Sequence, residues 1–147
     1  MSELRIHAAH ALLPDGLVAD RVVTVAGGRI TGIGPGTAAD ADRSAAIVAP
    51  AFVDIQINGG GGVQFNETPT VDALATVAAA ARQGGTAAIL PTFITAAGQS
   101  FRHALDAVAR ALDARVPGIV GVHLEGPFLN VARKGVHDPR HIRPMTD

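Results

Sequence analysis

Two short polar runs carry the residue types that do chemistry. In Asp54-Ile55-Gln56-Ile57-Asn58 the polar residues alternate with isoleucines. On an extended strand that alternation sets Asp54, Gln56 and Asn58 on one face and the isoleucines on the other. Such a face either lines a site or bonds neighbouring backbone. In His123-Leu124-Glu125-Gly126-Pro127 an imidazole and a carboxylate share one strand face, and the Gly-Pro pair ends the strand. A carboxylate there can ligate a metal ion, act as an acid or base, or pair with an arginine. His123 alone reads equally as a packed, hydrogen-bonded core histidine. A third segment, Lys134 to Arg143, brings His137, Arg140, His141 and Arg143 into one loop. It either meets an anionic substrate or is an ordinary solvated loop. The run Gly59-Gly60-Gly61-Gly62 lacks the lysine and spacing of a phosphate loop, so nucleotide binding is not expected.

The elements that must position these residues follow from the spacing. After Pro50 the order is strand, helix, strand, helix, strand. A strand is expected over 52–58. A helix follows from a cap at Thr68, with Pro69 in its first turn, to about 83. Its stripe is Val71, Leu74, Ala78 and Ala81, and Gly84-Gly85 ends it. A strand over 86–90 closes at Pro91. A second helix over about 99–115 carries Phe101, Leu105, Val108 and Leu112, and a third strand occupies 119–124. Helical connections of this length imply parallel strands, whose C-terminal ends are where functional groups gather. Residues 1–49 read differently, as short β-rich runs with a hairpin turn at Gly27-Gly28 and a loop over 37–44.

Composition sets the limits. The chain has 147 residues, 48% hydrophobic and 17% charged, with a net charge of −1. No basic stripe is present and the five aromatic residues are all Phe, so nucleic-acid binding is not expected. There is no cysteine, which excludes disulfides, thiolate nucleophiles and cysteine-ligated metals. The N-terminus lacks the layout of a signal peptide. The uncharged stretch 84–100 is broken by Gly, Thr, Gln and Pro, so a soluble, cytoplasmic protein with no membrane association is expected. A complete eight-stranded β/α barrel needs roughly 200–250 residues, more than the chain has.

With these residues in hand, the chain resembles the N-acetylglucosamine-6-phosphate deacetylases of the amidohydrolase superfamily. Residues 50–59 and 62–66 (Pro50-Ala51-Phe52-Val53-Asp54-Ile55-Gln56-Ile57-Asn58-Gly59, then Gly62-Val63-Gln64-Phe65-Asn66) resemble that family's first barrel strand and loop. Leu90-Pro91-Thr92-Phe93-Ile94-Thr95 resembles its second-strand motif. His123-Leu124-Glu125-Gly126-Pro127-Phe128-Leu129-Asn130 and Lys134-Gly135-Val136-His137-Asp138-Pro139 resemble its third-strand motif and the loop after it. Ala51 and Gly61 depart from the usual Gly and from the Cys of some members.

The resemblance implies an incomplete (β/α)8, TIM-type amidohydrolase barrel. Residues 1–49 would be the N-terminal part of a small β-sandwich domain. Residues 50–147 would be the first βαβαβ portion, with three strands. It implies hydrolysis of N-acetylglucosamine 6-phosphate to glucosamine 6-phosphate and acetate, with one divalent metal ion, most naturally zinc. Glu125 matches the family's metal-ligating glutamate, and Val136 and His137 match a contact to the phosphorylated amino sugar. Gln56 and Asn58 fall at the position of the superfamily's usual His-x-His pair, where Gln56 would bond the metal's water. The family's two histidine ligands and its catalytic aspartate lie beyond the third strand, so no catalytic residue is expected within these 147 residues. A chain of this length is expected to be inactive alone, and the complete enzyme a homodimer. The alternatives are a non-catalytic remnant or scaffold, and an amidohydrolase acting on another substrate.

Overall fold

A computed structural model describes residues 3–145. The chain divides into two compact units, Met1–Pro50 and Ala51–Asp147.

The first unit is a four-stranded sheet in the order β3-β2-β1-β4. Strand β1 (Leu4–Leu13) and β2 (Gly16–Ala26) pair antiparallel from Leu4 opposite Val25 to Leu13 opposite Gly16. Strand β3 (Arg29–Pro35) follows through the expected turn. Gly27 and Gly28 both have positive φ, 58° and 75°, as a two-residue hairpin turn of matching twist requires. Strand β4 (Arg43–Val48) returns parallel to β1. The strands are longer than the β-rich runs of the sequence indicate. Between β3 and β4, a single 3-10 turn (Ala38–Asp40) interrupts the expected loop.

The second unit is α/β. Strand β5 (Phe52–Ile57), β8 (Thr86–Ile94) and β9 (His123–Glu125) form a parallel sheet in the order β5-β8-β9. Helix α1 (Val71–Gln83) joins β5 to β8, and α2 (Ser100–Asp113) joins β8 to β9. The tetraglycine run does more than end a strand. Strands β6 (Gly59–Gly60) and β7 (Val63–Gln64) form a hairpin about Gly61 and Gly62, both at positive φ. A Cβ on Gly61 would meet Thr76 of α1 at 2.9 Å, so glycine is what lets the turn lie on the helix.

Four sequence expectations need correction. Thr70, not Thr68, caps α1, its side chain accepting from the Ala73 N–H. Strand β8 does not close at Pro91 but runs through it to Ile94. By strand alternation the backbone nitrogen of Pro91 faces the β9 side, in the gap between the Ile89–Ile119 bridge and the Thr92–His123 pair, where no ladder donor is needed. The third strand shortens to three residues, preceded only by a bridge between Ile89 and Ile119. The buried face of α2 is Ala104, Ala107, Val108 and Ala111, while Leu112 stays 42% exposed. Small alanines let the helix approach its neighbours closely, and that contact outweighs the larger residues' stripe. The core of this unit packs those residues with Phe65, Leu74, Val77, Ile89 and Phe93. Among the described residues no helix is long and apolar enough to cross a membrane.

Candidate active site at the strand ends

The C-terminal ends of β5, β8 and β9 bring three of the expected residues together. Gln56 leaves β5 and donates its side-chain N–H to Glu125 Oε2 at 3.1 Å. These residues are 69 positions apart, and their strands are separated in the sheet by β8. His137, on the loop after β9, places Nε2 3.2 Å from the other carboxylate oxygen, Oε1. The Glu125 carboxylate is thus held at both oxygens by groups from different segments. A carboxylate gripped this way has one orientation, which an exposed glutamate on a short strand would not have.

Beneath these contacts lies a backbone arrangement that follows from where β5 stops. Its last pairing is Ile57 with Pro91, so β8 continues beyond its partner to Ile94. On that unpaired side, Asn66 takes the place of a strand. Its Oδ1 accepts the Ile94 N–H at 2.8 Å and its Nδ2 donates to the Ile94 carbonyl at 3.0 Å. The next residue faces the other way, as strand geometry requires. The Thr95 N–H donates to the Glu125 carbonyl at 3.0 Å. Phe65, fully buried beside Asn66, packs edge-to-face on Phe93 of β8 with ring centres 5.8 Å apart. The β6–β7 loop is therefore tied to the end of β8 by a polar clamp and an aromatic pair.

Asp54, Gln56 and Asn58 do not act as one polar face. The Asp54 carboxylate accepts the Gln56 backbone N–H at 3.0 Å, which turns the chain locally. Among the described residues, none hydrogen-bonds to the Asn58 side chain, and only its carbonyl is engaged, by the Phe65 N–H. Val136 is 88% exposed, while the adjacent His137 is 4% exposed and turned inward. His123 bonds through Nδ1 to the buried Thr92 hydroxyl at 3.2 Å, a packed histidine rather than a free ligand.

The cationic loop is less available than its composition suggests. Arg140 is committed to Asp138 through both its Nε and Nη2 atoms. Those side-chain bonds, then the Arg140 backbone N–H, hold the Asp138 carboxyl well below the usual carboxylate range. His141 Nε2 lies 3.9 Å from the same carboxylate. Arg143 remains, lining a cavity of about 130 Å³ beside Glu125 together with Phe93, Thr95, Phe101 and Phe128.

A catalytic zinc needs three or more protein ligands. Among the described residues no three His, Cys, Asp or Glu side chains cluster to hold one. Glu125 fits a single ligand position, and these residues alone do not make up a metal site. Two residues of the cluster carried no role in the sequence reading, Thr95 and Asn66. Both lie inside the strand and loop motifs, but their roles depend on where β5 stops.

Comparison with known proteins joins this geometry to chemistry. Residues 4–45 match the model of the N-terminal domain of the formimidoylglutamate deiminase HutF. Over 96 residues, 65% of this chain, it is 51% identical to an N-acetylgalactosamine-6-phosphate deacetylase of Shewanella sp. (strain ANA-3), covering 24% of that protein. It is 38% identical over 95 residues to an N-acetylglucosamine-6-phosphate deacetylase of Haemophilus influenzae, covering 65% of this chain and 25% of the relative. Among solved structures, the N-acetylglucosamine-6-phosphate deacetylase of Pasteurella multocida aligns over 99% of this chain and 40% of its own. The TM-score is 0.87 and the identity 27%. A mutant of the Mycobacterium smegmatis enzyme, in complex with N-acetyl-D-glucosamine-6-phosphate, aligns over 99% of this chain and 38% of its own, with TM-score 0.86 and 32% identity. The chain spans about a quarter of the length of these curated relatives. The resemblance read from the strand motifs is borne out.

Proposed function

We infer that this chain belongs to the amino-sugar-6-phosphate deacetylases and forms the N-terminal portion of such an enzyme. The observation that carries the reading is the convergence of Gln56, Glu125 and His137 from three separate motifs onto one carboxylate. The reaction is hydrolysis of the N-acetyl amide of a hexosamine 6-phosphate. Water adds to the carbonyl, the C–N bond breaks, and acetate and the free amine leave. In the wider enzyme the three parallel strands of this chain are the first of a TIM-type barrel, and the four-stranded unit is part of a small β-domain. There, a divalent metal, zinc in this reading, would supply Lewis-acid activation of water, with Glu125 as one of its ligands.

Within that reaction this chain's residues bind and orient. Glu125 is the residue the resemblance assigns to the metal. Gln56 and His137 each hold one of its two oxygens, and Val136 and His137 border the substrate in this reading. Asn58 has a supporting place, since among the described residues none bonds its side chain. Two sugars remain in view. The 51% identical relative is an N-acetylgalactosamine-6-phosphate deacetylase, which favours the galacto epimer as a second reading.

The test is acetate release from both epimers by the full-length enzyme of which this chain is the proposed N-terminal portion, against Glu125→Gln, the 147-residue chain alone being expected to release none. Turnover of either epimer that falls in the variant supports the reading. Turnover of neither contradicts it.

A further inference from the structure

Thr95 follows the last residue of β8, and its hydroxyl sits between two acceptors. It lies 3.3 Å from the Glu125 carbonyl and 3.0 Å from His137 Nδ1. The carbonyl already accepts the Thr95 backbone N–H at 3.0 Å. A threonine hydroxyl has one proton to give. The shorter contact, to the acceptor with no other donor, takes it. His137 Nδ1 then accepts, and the neutral ring carries its proton on Nε2, facing Glu125 Oε1 at 3.2 Å. The opposite tautomer would aim a ring lone pair at a carboxylate oxygen. With His137 only 4% exposed, solvent cannot compensate that loss.

We propose that Thr95 is a positioning residue whose hydroxyl sets the Nε2–H tautomer of His137 and through it orients the Glu125 carboxylate. The neighbouring backbone is shaped to admit that hydroxyl. Gly126 has φ +88°, and a Cβ there would collide with Thr95 Oγ1. The Asn66 clamp on Ile94 fixes the strand residue immediately before Thr95. One hydrogen-bonded chain thus runs from Thr95 through His137 to Glu125, whose second oxygen Gln56 holds.

The experiment reads the His137 ring by 15N–1H correlation in the intact protein at about pH 8.5, two units above the ordinary imidazole value. A proton on Nε2 alone is expected. A proton on Nδ1 alone, or on both nitrogens, overturns the proposal. Thr95→Val keeps the side-chain shape and removes the hydroxyl. It is expected to shift His137 to a mixed or Nδ1–H pattern, and Thr95→Ser to retain the wild-type one. A folded Thr95→Val with the wild-type pattern, or a Thr95→Ser without it, overturns the proposal. If Thr95→Val does not fold, the wild-type and Thr95→Ser spectra decide. The consequence for turnover rests on the proposed deacetylase function. There, acetate release is expected to fall roughly 10–100-fold in Thr95→Val and recover in Thr95→Ser, as for other residues that orient a site's ligands. The two readings fail separately. A Thr95-dependent tautomer without turnover leaves the proposal standing and removes the function, and turnover with an Nδ1–H ring does the reverse.

Discussion

Replacing Asn66 with alanine removes the group that completes β8 where β5 has ended. Two hydrogen bonds are lost, at 2.8 and 3.0 Å, each contributing about 1 kcal/mol net. The Ile94 N–H and C=O are then left without a protein partner. Complete burial would add about 1–3 kcal/mol for each, but Asn66 is only half-buried and water can reach the gap. The expected destabilisation is therefore near the low end of the combined range, about 2 kcal/mol. For a unit of this size that corresponds to a melting shift of roughly 8–16 °C. Asn66→Asp keeps the acceptor for the N–H and loses the donor to the carbonyl, so it should lie between alanine and wild type. Urea denaturation of the three proteins measures the differences, and amide exchange at Ile94 and Thr95 locates them. An alanine variant within about 0.5 kcal/mol of wild type, with unchanged protection at those two amides, would refute the clamp.

Gly126→Ala forces a left-handed backbone position onto a residue with a side chain and drives its Cβ into the Thr95 hydroxyl. A loss of about 1–3 kcal/mol is expected from thermal melting, with the Thr95–His137 contact broken. On α2, Ala107→Leu overpacks a fully buried position and should cost about 1–3 kcal/mol, whereas Leu112→Ala, at an exposed position, should cost under 1 kcal/mol. Equal effects would place the wrong face of α2 in the core. Leu74→Ala, with the side chain fully buried, should cost about 2–5 kcal/mol by the same assay. The Asp138 carboxyl is lowered by Arg140, so its contribution to loop stability is complete above the ordinary aspartate value near 3.9. That contribution is lost as pH falls from there through the lowered folded value. Carboxyl NMR should find Asp138 still ionised where ordinary aspartates are protonated, and Arg140→Ala should reduce the difference without removing it, since the backbone N–H of residue 140 still donates to the carboxylate.

The helices and the Gly27-Gly28 turn were legible because their signals are local. Gly84 ends α1 as expected, although its N-terminal cap is Thr70 rather than Thr68, and Gly27 and Gly28 take the positive φ that a two-residue hairpin turn requires. The run of β8 through Pro91 was not legible. It depends on the pairing of β8 with the segment 119–125, about 30 residues away, which leaves a gap opposite the Pro91 nitrogen. Likewise the α2 stripe favoured its large residues, whereas tertiary packing selected the alanines. At the site, Gln56 and Glu125 stood out as polar residues at strand ends. Their meeting across β8, and the inward turn of His137, arise from chain geometry that no spacing rule contains. Thr95 lies beyond the strand expected over 86–90 and carried no reading of its own. It gains a role only when the following loop returns to it.

The most direct measurement is acetate release from N-acetylglucosamine 6-phosphate and its galacto epimer by the full-length enzyme of which this chain is the proposed N-terminal portion, wild type against Glu125→Gln. The variant keeps the shape of the side chain and removes the charge that Gln56 and His137 hold in place. A rate at least about 10³-fold lower, with the fold preserved by circular dichroism, is the expected result. Turnover at the wild-type rate would contradict the assignment of Glu125 to the reaction centre.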